Sequence, residues 1–138
     1  MAAQDIVTKA TEAFNRHDAD AFATLYTTEA VAHDPQYTQP LKGREAIRKD
    51  IEDWFRAFPD VQASVASVVS GGETVAVEMR MTGTNKGPIA SPAGEIPATN
   101  KRIDISLAWF VRVNGQGLIT EDRRYFDMAG LAQQLGIE

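Results

Sequence analysis

The spacing of apolar residues changes once along this chain, at Pro59, and this change restricts the fold more than any other feature. Before Pro59, apolar side chains recur every three or four residues, as they do in amphipathic helices. After it, apolar and polar residues alternate, as they do along strands with one buried face. Helices followed by a run of strands predict an α+β domain, in which a curved mixed or antiparallel sheet bends over the helices.

Three helices are predicted before the change of period. The first covers about residues 3–15, and the second runs from an N-cap at Asp18 through Tyr26. The third runs from about Arg44 to Phe58, where a proline follows and stops it. A short strand over Glu29–Asp34 separates the second helix from the third.

Four strands are predicted after the change of period, with turns at Gly71-Gly72 and at Asn114–Gly117. The strand residues expected to share the apolar face are Val61, Ala63, Val65, Val75, Val77, Met79, Met81, Ile103, Ile105, Leu107, Trp109, Val111 and Val113. A closing helix is expected over Met128–Leu135. Bending such a sheet over the helices leaves a conical interior, whose open end is a natural site for a ligand.

Composition narrows the class of function. The 138 residues suit a single domain, 1–138, and 43% hydrophobic with 24% charged residues is a globular balance. No cysteine is present, and two histidines leave too few ligands for a metal site, so neither a metal nor a cofactor is expected. The net charge of −5 argues against a nucleic-acid partner. No apolar segment has the length of a signal peptide or a membrane span, so we expect a cytoplasmic protein without a membrane partner.

A set of short motifs occurs in one order along nearly the whole chain from Phe14. The motifs are His33-Asp34-Pro35, Gly43-Arg44-Glu45-Ala46-Ile47, Phe58-Pro59-Asp60, Thr82-Gly83-Thr84, Pro97-Ala98-Thr99 with Lys101-Arg102, and Asp127 followed by Gly130–Gly136. In this order they resemble the SnoaL-like polyketide cyclases of the nuclear-transport-factor-2-like superfamily. The resemblance implies a cystatin-like roll and a cofactor-independent acid/base enzyme. Its expected reaction is intramolecular aldol cyclisation of a hydrophobic, carbonyl-bearing small molecule, such as an aromatic polyketide ester.

The last strand carries two charged residues at inward positions. Pairing across the preceding turn should place Asp122, Arg124 and Phe126 on the inner face, and Arg123 and Tyr125 outside. Burial would raise the pKa of Asp122, whereas Arg124 would lower it. The resemblance implies that Asp122 is the acid/base, while a purely structural Asp–Arg pair is the alternative.

Three further polar residues surround the short strand before Pro35. Asp34 should lie at the pocket mouth, and it resembles the base of ketosteroid isomerases, although a turn aspartate that caps backbone N–H groups is as good an interpretation. His33 is a candidate proton shuttle, but neighbours on a strand point to opposite faces, so a surface histidine is the alternative. Tyr37 is placed to donate a hydrogen bond to a substrate carbonyl.

The aromatic residues at regular spacing are expected to form core first and ligand contacts second. The expected substrate-binding residues besides Tyr37 are Trp54, Phe55, Met81, Trp109 and Phe126. The connection Asn85–Asn100 contains three prolines and two glycines, which is typical of a lid or binding loop.

Two other functions fit the same residues. Asp122, Arg124 and Asp34 are the residue types of an epoxide hydrolase, although Leu107 and Trp109 occupy the strand positions where that enzyme type carries its Arg and Asp. The second function is that of a non-catalytic binding module. Domains of this fold commonly form dimers or tetramers through the outer sheet face. That surface would consist of Glu78, Arg80, Asp104, Ser106 and Arg112.

Overall fold

The computed structural model describes residues 3–137, so Met1, Ala2 and Glu138 lie outside the description that follows. The elements in chain order are α1 Asp5–Asn15, α2 Ala19–Ala23, β1 Tyr26–His33, β2 Leu41–Lys42, α3 Arg44–Ala57, β3 Gln62–Gly71, β4 Thr74–Thr84, β5 Arg102–Val113, β6 Ile119–Phe126 and α4 Met128–Leu135. No helix in this range is long and apolar enough to cross a membrane.

The strands form one curved, unclosed sheet with the order β2-β1-β6-β5-β4-β3. β1 runs parallel to β6, and the other neighbours are antiparallel. The predicted α+β class with a curved mixed sheet is therefore confirmed. The parallel pair brings the end of β1 beside β6, and this contact places the polar residues described below.

The register between β5 and β6 agrees with the prediction for the last strand. Leu107 pairs with Phe126, and Trp109 pairs with Arg124. Asp122 is fully buried, whereas Tyr125 keeps 54% of its surface exposed. The charged residues at alternate positions of β6 therefore do point toward the core.

The second helix is shorter than predicted. The Asp18 side chain does cap it, accepting a hydrogen bond from the Ala21 backbone N–H at 2.9 Å. The helix ends at Ala23, however, and Tyr26 begins β1. A contact with a distant part of the chain explains this difference. Tyr26 pairs with Ile119 of β6, so sheet hydrogen bonding replaces the last turn of the predicted helix.

β3 departs from the predicted one-sided burial. It is an edge strand, and Val65, expected on the apolar face, is 39% exposed. The register with β4 shifts between Val65 and Ser67, and the strand beyond Ala63 is exposed at every position. The helices cover only the start of β3, so the alternation of apolar and polar residues predicted more buried positions than this strand has.

The connection Asn85–Asn100 is fixed at its start by hydrogen bonds. The Asn85 side-chain Nδ2, fully buried, donates to the backbone oxygens of Ala57 at 3.0 Å and Gly87 at 2.9 Å. Ile89 and Ile96 pair across it as an isolated bridge. The connection therefore lies against the end of α3, and its predicted role as a lid stays a prediction.

The outer sheet face is polar in the region predicted to pair copies of the chain. Its exposed residues include Glu78, Arg80, Asp104, Ser106 and Arg112. Arg80 Nε donates to Asp104 Oδ1 at 2.7 Å, and a second contact joins Nη2 to Oδ2. Pairing through this face stays a prediction.

Candidate active site

Arg124 of β6 is the centre of a buried polar cluster. Its side chain is 9% exposed and contacts three carboxylates. The Nε atom lies 3.2 Å from Asp122 Oδ1, two positions earlier on the same strand. The Nη1 atom lies 2.7 Å from Asp50 Oδ2 on α3 and 3.3 Å from Asp34 Oδ2 after β1. The structure thus brings together Asp34, Asp122 and Arg124, and adds Asp50.

The third guanidinium nitrogen of Arg124 has no partner. Nη2 is buried, yet it has no hydrogen-bond acceptor within residues 3–137. A buried donor without an acceptor is uncommon and calls for an explanation such as a ligand or water. Arg124 also lines the central cavity, so its guanidinium is the cationic group among the described lining residues.

Asp34 is the carboxylate of the cluster that lines the cavity. It lies in the turn that follows β1, and its Oδ1 accepts a hydrogen bond from the Gln36 backbone N–H at 2.8 Å. Its side chain is 1% exposed. Burial raises the pKa of Asp34 above 3.8, Asp50 raises it further, and Arg124 opposes the increase. Asp34 therefore keeps its proton to a higher pH than an ordinary aspartate.

Both carboxyl oxygens of Asp122 contact another side chain. Its Oδ1 contacts Arg124 Nε, and its Oδ2 accepts a hydrogen bond from the hydroxyl of Tyr26. Both residues are fully buried, and burial raises the pKa of Tyr26, which stays a neutral donor. Asp122 is not among the described residues that line the cavity. Its contacts fix Arg124 in place rather than reach a ligand.

Asp50 and Tyr37 extend the cluster to the loop after β1. Asp50 is 3% exposed, and its Oδ1 accepts a hydrogen bond from the Tyr37 hydroxyl at 2.7 Å. Burial first, and then Asp50, raise the pKa of Tyr37, so its hydroxyl stays protonated. Sequence analysis missed Asp50, although a signal was present: it lies between Ile47 and Ile51 on the apolar stripe of α3.

The charges of the cluster do not balance. Three carboxylates, Asp34, Asp50 and Asp122, face one guanidinium, so the fully ionised cluster has a formal charge of −2. Such an imbalance is costly in a buried site and favours the uptake of a proton. Asp34, with its raised pKa, is a place for that proton. A buried carboxyl that gains and loses a proton is the chemical requirement for acid/base work.

The central cavity has a volume of about 80 Å³. Its polar lining residues are Thr11, Asp34 and Arg124, and the others are Ala10, Phe14, Phe22, Ile51, Trp54, Ala63, Met79, Met81, Leu107, Trp109 and Phe126. Four residues predicted to bind substrate, namely Trp54, Met81, Trp109 and Phe126, line it. The cavity thus presents one carboxyl and one guanidinium group within a largely apolar wall.

Three predicted site residues lie away from this cavity. Phe55 packs against Phe14, with ring centroids 5.2 Å apart, and stacks on His17 at 4.6 Å. His33 contacts Glu121 at 3.0 Å with 37% of its side chain exposed, because it alternates with the buried Ala32 along β1. Those contacts give His33 no path to the cavity.

Tyr37, the third of these residues, contacts Asp50 instead of the cavity. Within residues 3–137, no group of three or more His, Cys, Asp or Glu side chains is arranged to hold a metal ion. The candidate site is therefore built from Asp34, Arg124 and the residues that fix them.

Comparisons with known proteins identify the class. The family model of the SnoaL-like polyketide cyclases matches residues 4–135, and the chain belongs to that family. No curated protein matches the sequence.

Solved structures share the fold. A protein from Catenulispora acidiphila with a ketosteroid isomerase-like fold is 21% identical, with a TM-score of 0.79 over 97% of this chain and 94% of that one. IdmH from Streptomyces antibioticus, assigned to the polyketide cyclases, is 26% identical, with a TM-score of 0.78 over 99% of both chains. SalBIII, described as an epoxide hydrolase/cyclase-like enzyme of pyran ring formation in salinomycin, is 24% identical, with a TM-score of 0.76 over 93% of this chain and 92% of that one. The expected nuclear-transport-factor-2-like fold is thereby confirmed.

Proposed function

We propose that this protein is a cofactor-independent acid/base enzyme acting on a hydrophobic, carbonyl-bearing small molecule. The observation that carries the proposal is the unpartnered Nη2 of Arg124 beside the buried Asp34 in an apolar cavity. Asp34 moves the proton, and Arg124 stabilises the oxygen on which negative charge develops. Membership in the polyketide cyclase family supports cyclisation as the reaction type.

The proposed reaction is an intramolecular aldol cyclisation. A substrate carbonyl oxygen accepts a hydrogen bond from Arg124 Nη2, and the Asp34 carboxylate takes a proton from the adjacent carbon. The electron pair of that C–H bond forms an enolate, whose carbon attacks a second carbonyl of the same molecule and forms the ring C–C bond. The new alkoxide then takes the proton back from Asp34, so atoms and charge balance. Proton transfer of this kind contributes roughly 10²–10⁴-fold, and positioning supplies more.

The role that the resemblance implied for Asp122 passes to Asp34 in this proposal. Both oxygens of Asp122 are bonded, to Arg124 and to Tyr26, and the residue is fully buried. Asp34 lines the cavity and has one oxygen only loosely held, at 3.3 Å from Arg124. Asp122 accordingly positions the guanidinium, and Asp34 touches the substrate.

A second candidate, epoxide opening by water, is favoured by the position of Arg124 between carboxylates. In that reaction protonated Asp34 gives its proton to the epoxide oxygen as the C–O bond breaks. A water oxygen attacks the carbon, and the Asp34 carboxylate, having given up its proton, then takes the water proton, which leaves a diol. The epoxide hydrolase/cyclase-like character of SalBIII supports keeping this reaction in the test.

The test is a ligand panel of anthraquinone-type polyketide esters, terpenoid epoxides and steroids, screened by thermal shift. A ligand at a hundred times its Kd stabilises the folded state by about 2.7 kcal/mol, which is readily measured. Ligands that bind are then incubated with the protein in ¹⁸O-labelled water. A cyclised product without label from water supports aldol cyclisation, and a labelled diol supports epoxide opening. Unchanged turnover in an Asp34→Asn variant would overturn both.

A further inference from the structure

A second, smaller cavity lies on the other side of Trp54 from the central one. Its volume is about 40 Å³, and it is lined by the loop after β1, one side of α3, the connection between β4 and β5, and α4. Its polar lining residues are Gln36, Tyr37, Asp50 and Asp53, and Ile89 and Leu131 are among its apolar ones. None of the predictions made from the sequence assigned a function to this cavity.

The two cavities share one wall. Trp54 lines both, and it is the one described residue common to the two linings. Beside it, the ion pair of Asp50 and Arg124 crosses the same boundary, because Asp50 lines the second cavity and Arg124 the first. The Trp54 ring lies 5.4 Å from Phe58 and 6.5 Å from Phe126, so it is held by ring contacts.

The central cavity by itself is too small for a substrate of drug size. Its volume of about 80 Å³ is well below the roughly 300–1,000 Å³ of sites for drug-sized ligands. Elsewhere the cavity is bounded by α1, α2 and the inner face of the sheet, whose backbones are hydrogen-bonded and resist displacement. The Trp54 wall is a single side chain, so opening it requires a change of rotamer and no displacement of a backbone.

The chemistry of the second cavity selects the group that enters it. Asp50 and Asp53 disfavour an anion, although Lys49 lies 3.1 Å from Asp53 and offsets part of its charge. Both oxygens of Asp50 are already bonded, to Tyr37 and Arg124, so the acceptors that remain for a neutral hydroxyl or amide are Asp53 Oδ1 and the side-chain oxygen of Gln36. A hydrogen-bond donor without negative charge is therefore the matching group.

We propose that the second cavity is a substrate subsite and that Trp54 is the gate between the two. The substrate class is a two-part, neutral molecule: an apolar, carbonyl-bearing ring portion at Arg124, and an arm with a hydroxyl or amide that reaches Asp53 and Gln36 past Trp54. This inference rests on the proposed function, because it takes Arg124 as the place where the reacting oxygen binds.

The first test uses the unmodified protein and methyl NMR with three probes: phenol, 4,4′-dihydroxybiphenyl and 4′-hydroxybiphenyl-4-carboxylate. Phenol is expected to shift the methyl signals of Met79 and Met81 in the central cavity. The dihydroxybiphenyl is expected to shift those signals together with Ile89 and Leu131 of the second cavity, and to bind at least tenfold more tightly than the carboxylate. Shifts confined to Met79 and Met81 with the long probe, or equal affinity for the two long probes, would overturn the subsite.

The second test changes the gate. Trp54→Ala should raise the ratio of 4,4′-dihydroxybiphenyl affinity to phenol affinity at least tenfold, because Trp54 lines the cavity used by both probes and only the long probe extends past it. Trp54→Phe is a milder variant if the alanine protein is unstable. Met79→Ala is the matched control, because it enlarges the central cavity without touching the second. An equal gain in the control, or no gain at Trp54, contradicts the gate. Loss of all phenol binding would instead refute the proposed function together with this inference.

Discussion

The Oδ2 atom of Asp50 lies 2.7 Å from Nη1 of Arg124, with side-chain exposures of 2% and 9%. The same nitrogen lies 3.3 Å from Asp34 Oδ2, so Asp50 is the closer of these two carboxyl groups to the guanidinium of Arg124. Asp34 is left partly paired and faces the cavity. In the proposed function, this arrangement leaves Asp34 able to exchange a proton with a ligand.

The first prediction concerns the influence of Asp50 on Asp34. Asp50→Asn removes a negative charge that raises the pKa of Asp34, and it leaves Arg124 a closer partner for Asp34. The pKa of Asp34 should therefore fall in the variant. Carbon-detected NMR titration of the aspartate carboxyl groups in both proteins measures the difference. An unchanged or higher Asp34 midpoint in the variant would show that Asp50 does not tune this group.

The second prediction is a conflict between stability and activity at Asp34. Because folding raises its pKa, Asp34 stabilises the folded state fully below pH 3.8, and that contribution is lost as the pH rises through the folded-state pKa. Asp34→Asn should therefore be more stable than the wild type at pH 7, by about 0.5–2 kcal/mol, the range of single stabilising changes. Urea unfolding at several pH values measures this. A less stable variant, or a difference independent of pH, would contradict the assigned direction.

The third prediction concerns the hydrogen bond from Tyr26 to Asp122. Tyr26→Phe leaves a buried carboxylate oxygen without its donor, which should lower the free energy of unfolding by about 1–3 kcal/mol. Tyr125→Phe is the matched control, because Tyr125 is 54% exposed, and its change should stay within about 0.5 kcal/mol. Equal effects of the two changes in urea unfolding would mean that the bond contributes nothing measurable.

The fourth prediction concerns the attachment of the β4–β5 connection. A Cβ atom added at Gly87 would overlap the backbone oxygen of Arg56, so Gly87→Ala should cost about 1–3 kcal/mol through overpacking. Gly115→Ala serves as the control, because open space surrounds its Cβ position. Thermal unfolding of both variants provides the comparison. A Gly87 variant as stable as the control would show that the connection shifts freely.

Patterns among neighbouring residues correctly predicted two features of the fold. The Asn114–Gly117 turn brings β6 back beside β5, and alternation along β6 beyond the register shift next to the turn gives the inward positions of Asp122 and Arg124. The closing helix also has the predicted bounds, Met128–Leu135, and begins at an Asp127 cap. These features depend on residues close together in the chain.

The features that the sequence did not predict depend on distant pairings. Tyr26 fits a helical stripe, and it becomes a strand residue only because β6 offers a parallel partner. That Asp34 rather than Asp122 lines the cavity depends on the Tyr26 hydroxyl, which occupies Asp122 from 96 residues away. Asp50 joins the cluster because its side chain on α3 reaches Arg124 of β6, 74 residues further along the chain. No local pattern encodes these contacts.

The central claim, that Asp34 moves a proton at an oxygen-polarising Arg124, is tested most directly by deuterium exchange at the α-carbon of cyclohexanone in D₂O. The wild-type protein should accelerate exchange at neutral pH, and Asp34→Asn should lose about 10²–10⁴-fold of that acceleration. Asp104→Asn, on the outer sheet face, should exchange at the wild-type rate. An Asp34→Asn variant as fast as the wild type, or a wild type no faster than buffer, would contradict the account.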